Sequence, residues 1–390
     1  MKIALLWPGY WPYVRRGTER MVRDIAYYLA GHGHTVDILT SKPGPTQVEH
    51  SGNVTIHRLT RKSHPVVDRM LFRRANRVMW FDLQGWQTLP FLLRERYDLV
   101  HAFLYIYAPA LKLTRWRHGT PVVYHAVMIP PYLDHPLDKH YFRLSVSEKA
   151  IPVRVFSRFG VQYMAEEHNV LSHAVPPTVD PQFFQPIRPK NLSRPRILYT
   201  ADLSDKSKGP HILARAFNHL HRRRPNAILE LAGPVGGDRL AMQRLFDLVD
   251  PAARASVEVL GTGNVKSVPQ LYADAAVTVL PSLNEPFGMV LTESLASGTP
   301  VVGSRSGAIP EIVSDPNIGT LFTRTDDDEQ SAADLGAAIL RSLDLAEESD
   351  IAERCQEHAR TWTWERVGGQ FNELQDLALD RRAPKRAVVI

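Results

Sequence analysis

A chain of 390 residues with 44% hydrophobic side chains and one cysteine, Cys355, has room for two or three domains and cannot hold an intrachain disulfide or a thiolate-built metal site. Its formal net charge of +6 conceals a division: residues 1–190 carry 25 Lys and Arg against 14 Asp and Glu, a net +11, whereas residues 191–390 carry 22 against 27, a net −5. Peptide, collagen-like and disordered classes are excluded, and no run approaches the ~18 consecutive apolar residues that span a bilayer.

The opening MKIALLWPGYW carries one Lys and a short apolar run, but Pro8 and Pro12 follow without a small-residue cleavage site, so it reads as a first buried strand and not as a secretion signal. A reducing, cytoplasmic location is expected, peripheral to the membrane face at most. A strand over residues 3–7 is followed by a helix over 19–30, with Met21, Val22, Ile25, Ala26 and Leu29 at helical spacing and Gly31 and Gly33 closing it, and then by a strand over 35–39. Further strands are predicted at 98–102, 121–127 and 153–157.

After a stretch holding six prolines between 176 and 195, the alternation restarts. Strands are predicted at 196–200, 227–232, 257–260, 277–280 and 300–303, with helices at 211–222, 238–249, 268–274 and 290–297 between them. The tail, 334–343 and 351–379, reads as helical, and Trp362 and Trp364 within it read as packing residues. Strands alternating with helices imply parallel α/β units, and two series separated by a Pro-rich hinge imply two doubly wound domains. The expected boundaries are 1–185 for the first domain and 190–365 for the second, with 366–382 packing back on the first.

The most informative stretch is residues 281–311, PSLNEPFGMVLTESLASGTPVVGSRSGAIPE. Glu285 falls in the loop at the carboxyl edge of the sheet, where doubly wound folds bind ligands, and Glu293 falls within the following helix. A carboxylate accepts hydrogen bonds from vicinal hydroxyls, and the free amides of a helix N-terminus favour an anion. This places the first Glu near a sugar and the second near a nucleotide ribose.

Over nearly its whole length the chain resembles the retaining glycosyltransferases of family 4, whose pattern Pro-Ser-x-x-Glu-x-Phe-Gly-x-x-x-x-Glu-Ala-x-Ala-x-Gly-x-Pro-Val-Val is kept here except for Ser294 in place of Ala. The resemblance implies an α/β fold of the GT-B type: two Rossmann-like doubly wound domains facing a central cleft, an acceptor-binding first domain, a nucleotide-sugar-binding second domain, and a C-terminal helix crossing back to the first. It implies that Glu285 contacts donor-sugar hydroxyls, that the backbone of Phe287, Gly288 and Met289 supports the sugar and phosphates, that Glu293 holds the ribose, and that Leu291 and Thr292 lie beside the nucleotide. Lys208 and Gly209 match the family's Lys-Gly pair, which places Lys208, with Lys206 nearby, at the donor diphosphate. Asp202 stands where Arg is usual; either it points elsewhere, or Lys206 or an Arg of the other domain supplies the missing charge. Gly17 matches the end of a loop that approaches donor and acceptor, with Arg16 in place of its first Gly as a candidate compensating cation on the acceptor side. His125 matches a strand-end His approaching the donor sugar, and His101 a second position on the acceptor side.

The expected activity is therefore retaining transfer of a hexose from a nucleoside diphosphate sugar, a UDP-sugar favoured, to a hydroxyl acceptor such as a glycan, a lipid-linked sugar or a natural product. Glu285, His125 and Lys208 are the expected catalytic groups, with neither cofactor nor metal beyond the donor co-substrate. Alternatives on the same architecture are a nucleotide-sugar hydrolase or epimerase and a non-catalytic nucleotide-sugar sensor. Asp134, His135, Asp138 and His140 have the residue types of a metal site but fall in a Pro-rich loop, and no metal is expected there. The basic stretch 58–77, interleaved with Met70, Leu71, Phe72 and Trp80, suits an anionic membrane surface; no nucleic-acid recognition motif accompanies it.

Overall fold

The computed structural model describes residues 1–12, 17–60, 84–127, 136–146, 151–234, 240–261 and 267–380, with the side chains of 136–138 outside that description. The chain divides into two compact units, Met1–Pro176 with Gly368–Ile390, and Pro177–Val367.

Among the described residues the first unit is built on a sheet of eight strands, β1 (Lys2–Leu6), β2 (Thr35–Lys42), β3 (Gln47–Ser51), β4 (Val54–Thr60), β5 (Leu99–Ala102), β6 (Val122–His125), β7 (Val153–Val155) and β8 (His173–Ala174), in the order β3-β4-β2-β1-β5-β6-β7-β8. Every neighbouring pair is parallel except β3 with β4. Its described helices are α1 (Gly17–Gly31), α2 (Leu89–Glu95), α3 (Ala108–His118), α4 (Pro136–Val146) and α5 (Arg158–His168). The central strands read as apolar runs because both faces of a parallel sheet are covered. Ile3, Leu5, Leu6, Leu99 and Val100 are accordingly fully buried. Helix α1 buries Met21, Val22, Ile25, Ala26 and Leu29, the apolar stripe read from the sequence. The antiparallel strand β3 lies outside the sequence expectation, because its residues are mostly exposed and polar and carry no core signal.

Among the described residues the sheet of the second unit has six strands, β9 (Arg196–Tyr199), β10 (Ile228–Leu231), β11 (Val257–Val259), β12 (Val277–Leu280), β13 (Val301–Ser304) and β14 (Gly319–Phe322), all parallel and ordered β11-β10-β9-β12-β13-β14. Its helices are α6 (Pro210–Arg223), α7 (Ala241–Asp247), α8 (Val268–Asp274), α9 (Met289–Ala296), α10 (Ile309–Ile312), α11 (Asp328–Ala346) and α12 (Ile351–Ala359). Strand order reverses between β9 and β12, the topological switch point beside which such sheets bind ligands. Phe217, Leu229, Val277, Val302, Leu335 and Ile339 belong to one buried cluster joining the sheet to α6 and α11. Helix α11 begins at Asp328, earlier than the expected 334, because Asp327 caps it by accepting from the amides of Glu329 (2.9 Å) and Gln330 (3.1 Å).

Two boundaries differ from expectation. The first unit ends at Pro176 and not at 185, because the next residues pack on the second unit: the amide of Val179 donates to Trp362 O (2.8 Å), and Ser297 Oγ donates to Phe183 O (3.0 Å). The continuous helix expected over 351–379 is broken after α12 by a short 3-10 turn, Arg360–Trp362, and by extended backbone at Thr363, with α13 (Trp364–Leu379) following. Trp362 is buried against Phe287 (centroids 6.1 Å apart), which holds the break in place. Helix α13 leaves the second unit in its first turn and continues in the first, where Phe371 is fully buried.

Replacing Phe217, fully buried beneath the second sheet, by Ala is expected to cost about 3–5 kcal/mol, read as a lowered urea midpoint for the transition of that unit.

Candidate functional site

In the second unit the site is assembled by the loops that leave β9 and β12 on either side of the switch point. After β9, Asp202 Oδ1 accepts from the amide and hydroxyl of Ser204 (2.9 and 2.6 Å), and Asp205 Oδ1 accepts from the amide and hydroxyl of Ser207 (2.9 and 2.7 Å). Both acids accept hydrogen bonds within their own loop. The loop then makes a single 3-10 turn, Lys206–Lys208, and ends at Gly209 with φ +72°. Gly209 is required by space as well as conformation: a Cβ there would lie 2.4 Å from Pro281 O in the loop after β12.

That contact brings two chemically active side chains together. Lys208 Nζ donates to Glu285 Oε2 at 2.8 Å, with the lysine side chain 28% exposed and the glutamate 11%. The two loops are also joined by the Leu283 amide donating to Ser207 O (2.7 Å). Gly307, with φ +61°, closes the Glu285 loop from the other side: a Cβ there would meet Glu285 O at 2.3 Å and Glu285 N at 2.4 Å. The Ala308 amide donates to Glu285 O at 2.8 Å.

Sequence reasoning missed Arg324. This half-buried residue follows β14 and donates from NH1 to Pro281 O (2.9 Å) and Ser207 O (3.3 Å), so one guanidinium ties both loops together. Burial pulls its pKa below the usual arginine range. No motif marks it, and only the tertiary placement of β14 next to β13 reveals its part. Lys206, by contrast, is exposed.

Helix α9 starts directly after Gly288, whose φ of +113° turns the chain from the loop into the helix. The buried Glu293 accepts from Tyr272 OH (3.2 Å), and that hydroxyl also bonds Thr200 Oγ1 (2.9 Å) at the end of β9. Phe287 is buried against Trp362, and Met289 is partly exposed. Leu291 and Thr292 are buried; Thr292 Oγ1 donates to Met289 O at 3.0 Å within its own helix, and Leu291 packs toward Gly303 of β13. Their side chains seat α9 on the sheet, leaving backbone as the part of those residues available to a ligand.

In the first unit, Gly17 opens α1, and Glu19 accepts from Trp7 Nε1 at 2.9 Å. Arg16, the stretch 61–77, Asp134 and His135 lie outside the described residues, as does the side chain of Asp138. Among the described residues no group of His, Cys, Asp and Glu could hold a metal ion.

His101 and His125, at successive parallel strands β5 and β6, form one buried polar chain. Arg154 NH1 lies 3.3 Å from His125 Nδ1, and His125 Nε2 lies 2.9 Å from His101 Nδ1. The arginine can only donate, so His125 accepts at Nδ1 and donates from Nε2, and His101 accepts in turn; both rings are neutral. Burial holds the His101 pKa down to about 3 and that of His125 well below the histidine range, with the Arg154 charge adding to both shifts. Phe103 stacks on His125 at 4.2 Å and Phe371 on His101 at 5.6 Å. The His125 ring is thus enclosed with both nitrogens engaged, and in this arrangement is not presented to a ligand.

Two family models match the chain. Residues 181–362 match "Glycosyl transferases group 1" and residues 16–174 match "Glycosyl transferase 4-like domain". D-inositol 3-phosphate glycosyltransferase of Arthrobacter sp. (strain FB24) is 27% identical over 94% of this chain and 91% of its own length. The MMP alpha-(1->4)-mannosyltransferase of Mycolicibacterium hassiacum is 32% identical over 54% of this chain and 49% of its own. Among solved structures, sucrose-phosphate synthase from Thermosynechococcus elongatus has a TM-score of 0.76 at 22% identity, covering 96% of this chain and 98% of that one. HepE from Anabaena, in complex with UDP-glucose, has a TM-score of 0.70 at 18% identity over 96% and 99%. Both share the GT-B arrangement of two parallel-sheet α/β domains.

Because both histidines are held neutral when folded but take up protons near pH 6.5 when unfolded, their contribution to stability is complete above about pH 6.5 and is lost as pH falls below it. In NMR titration neither ring is expected to move between pH 5 and 8. Gly307→Ala is expected to displace the Glu285 loop and lower the melting temperature, read by thermal denaturation, with the secondary structure retained by circular dichroism.

Proposed function

Because the chain belongs to the glycosyl transferases group 1 family, with a glycosyl transferase 4-like first half, we propose that it is a retaining hexosyltransferase using a nucleoside diphosphate sugar and a hydroxyl acceptor. The observation that carries this reading is the Lys208–Glu285 pair, 2.8 Å long, held at the switch point beside the N-terminus of α9. Without ligand the ammonium and the carboxylate satisfy each other. A donor would exchange that pairing for two better ones: the diphosphate would take Lys208 and the free amides of α9, and the sugar hydroxyls would take Glu285.

Such a site favours departure of the diphosphate, since the cation and amides act where negative charge develops as the bond from the anomeric carbon to the phosphate oxygen breaks. In the proposed front-face displacement the acceptor oxygen bonds to that carbon from the side the diphosphate leaves, and the acceptor proton passes to the departing phosphate oxygen. Glu293, linked through Tyr272 to Thr200, is the proposed ribose contact. His125 enters as a positioning residue of the first unit and not as a group touching sugar. UDP-sugars head the donor panel, supported by the UDP-glucose carried by HepE. The net +11 of residues 1–190 and the phosphorylated inositol in the name of the Arthrobacter relative's activity both support an anionic acceptor.

The test is nucleoside diphosphate release from a panel of nucleotide sugars, with and without phosphorylated polyol, glycan and lipid-linked acceptors, the product's anomeric configuration being read by NMR. Acceptor-dependent release with retained configuration is expected. Equal release without acceptor would instead make the protein a hydrolase, and tight donor binding without turnover a sensor. Lys208→Ala and Glu285→Gln are each expected to lower kcat/KM by about a hundredfold or more, the scale of losing one charge-stabilising group in a transition state. Lys206→Ala is expected to change it little, since that side chain is exposed.

A further inference from the structure

We propose that the outer face of α3 in the first unit is a docking surface for an anionic lipid bilayer. The helix buries Ala108, Ala110, Leu111 and Thr114 on one side. On the other, Trp116 is 80% exposed and Leu113 38% exposed, and Lys112 and Arg117 are exposed beside them. At ~100° per residue, Lys112, Trp116, Leu113 and Arg117 fall in that order across roughly 140° of the helix surface. Two apolar side chains are therefore flanked by a cation on each side, and among the described residues neither Lys112 nor Arg117 is in an ion pair.

A single exposed hydrophobic residue needs no explanation, but a large indole with an aliphatic neighbour and a cation on either flank has the composition of an interfacial helix face. The indole is suited to the boundary between headgroups and acyl chains, and the cations to the anionic headgroups. A protein partner fits less well, because two apolar side chains supply only a small part of the roughly 800 Å² per partner that a stable interface buries. The surface is separate from the basic stretch 58–77, most of which lies outside the described residues. It rests on the proposed function only for its use, bringing the unit with the +11 charge to an acceptor carried in a membrane, and not for its existence.

The experiment is sedimentation of the full chain with vesicles of phosphatidylcholine alone and of phosphatidylcholine mixed with phosphatidylglycerol, at low and high salt. Binding to the anionic vesicles alone, weakened by salt, is expected. Trp116→Ala combined with Leu113→Ala is expected to weaken that binding about tenfold or more, and Lys112→Glu combined with Arg117→Glu at least as much. Both variants should keep the wild-type melting temperature, since all four side chains are exposed, and should keep nucleoside diphosphate release with a soluble acceptor. A wild type that stays in the supernatant with anionic vesicles, or a Trp116/Leu113 variant that sediments like the wild type, overturns the proposal. Self-association that the Trp116/Leu113 variant loses, in the absence of vesicle binding, overturns it in favour of a second copy of this chain. Vesicle binding that survives alongside absent acceptor-dependent release would leave the surface standing and sink the transferase reading.

Discussion

The second unit depends on a backbone contact: the loop leaving β9 and the loop leaving β12 touch with no side chain between them. Gly209 against Pro281 leaves no room for a Cβ, Arg324 bonds a carbonyl of each loop, and Gly307, in the loop after β13, closes on Glu285 from the other side with equally little space. Once the main chains are locked in this way, the Cα positions of Lys208 and Glu285 are fixed within reach of one another, and their side chains meet at 2.8 Å. Main-chain placement of this kind holds charged groups ready for a ligand at little cost in ordering them on binding.

The first unit solves a different problem at the corresponding edge of its sheet. Arg154 is a buried cation whose charge is answered by neutral groups: the carbonyls of Val175 (2.7 Å) and Pro176 (2.7 Å), the ring of His125, and the faces of Phe156 (5.3 Å) and Phe371 (5.4 Å). Taking such a charge out of water is costly, and hydrogen bonds to carbonyl dipoles together with aromatic faces offset part of that cost. The same guanidinium fixes the last two residues of the unit before the chain crosses and the helix by which it returns.

Much of this was legible in the sequence. The alternation of apolar runs with helical stripes placed most parallel strands, because strands buried on both faces and helices buried on one have distinct periods. The string around Glu285 and Glu293 was legible because glycines at tight turns and carboxylates at a strand end leave residue-type signatures. What could not be read was tertiary. The break at Thr363 exists because Trp362 is captured by Phe287, and a helical pattern alone carries no sign of that. Residues 177–185 look like linker by composition, yet Phe183 is buried beside Tyr272, with ring centroids 5.9 Å apart. Arg324 and Arg154 belong to no motif; their partners are main-chain carbonyls, which every sequence supplies everywhere.

The division at Pro176 and again at Val367 makes the second unit an uninterrupted segment inserted into the first. A ribosome releases residues in order, so the second unit has its whole chain available while the first still lacks Phe371, the ring against which His101 and Arg154 pack. The first unit therefore cannot pack its core around Phe371 until the whole of the second unit has been made.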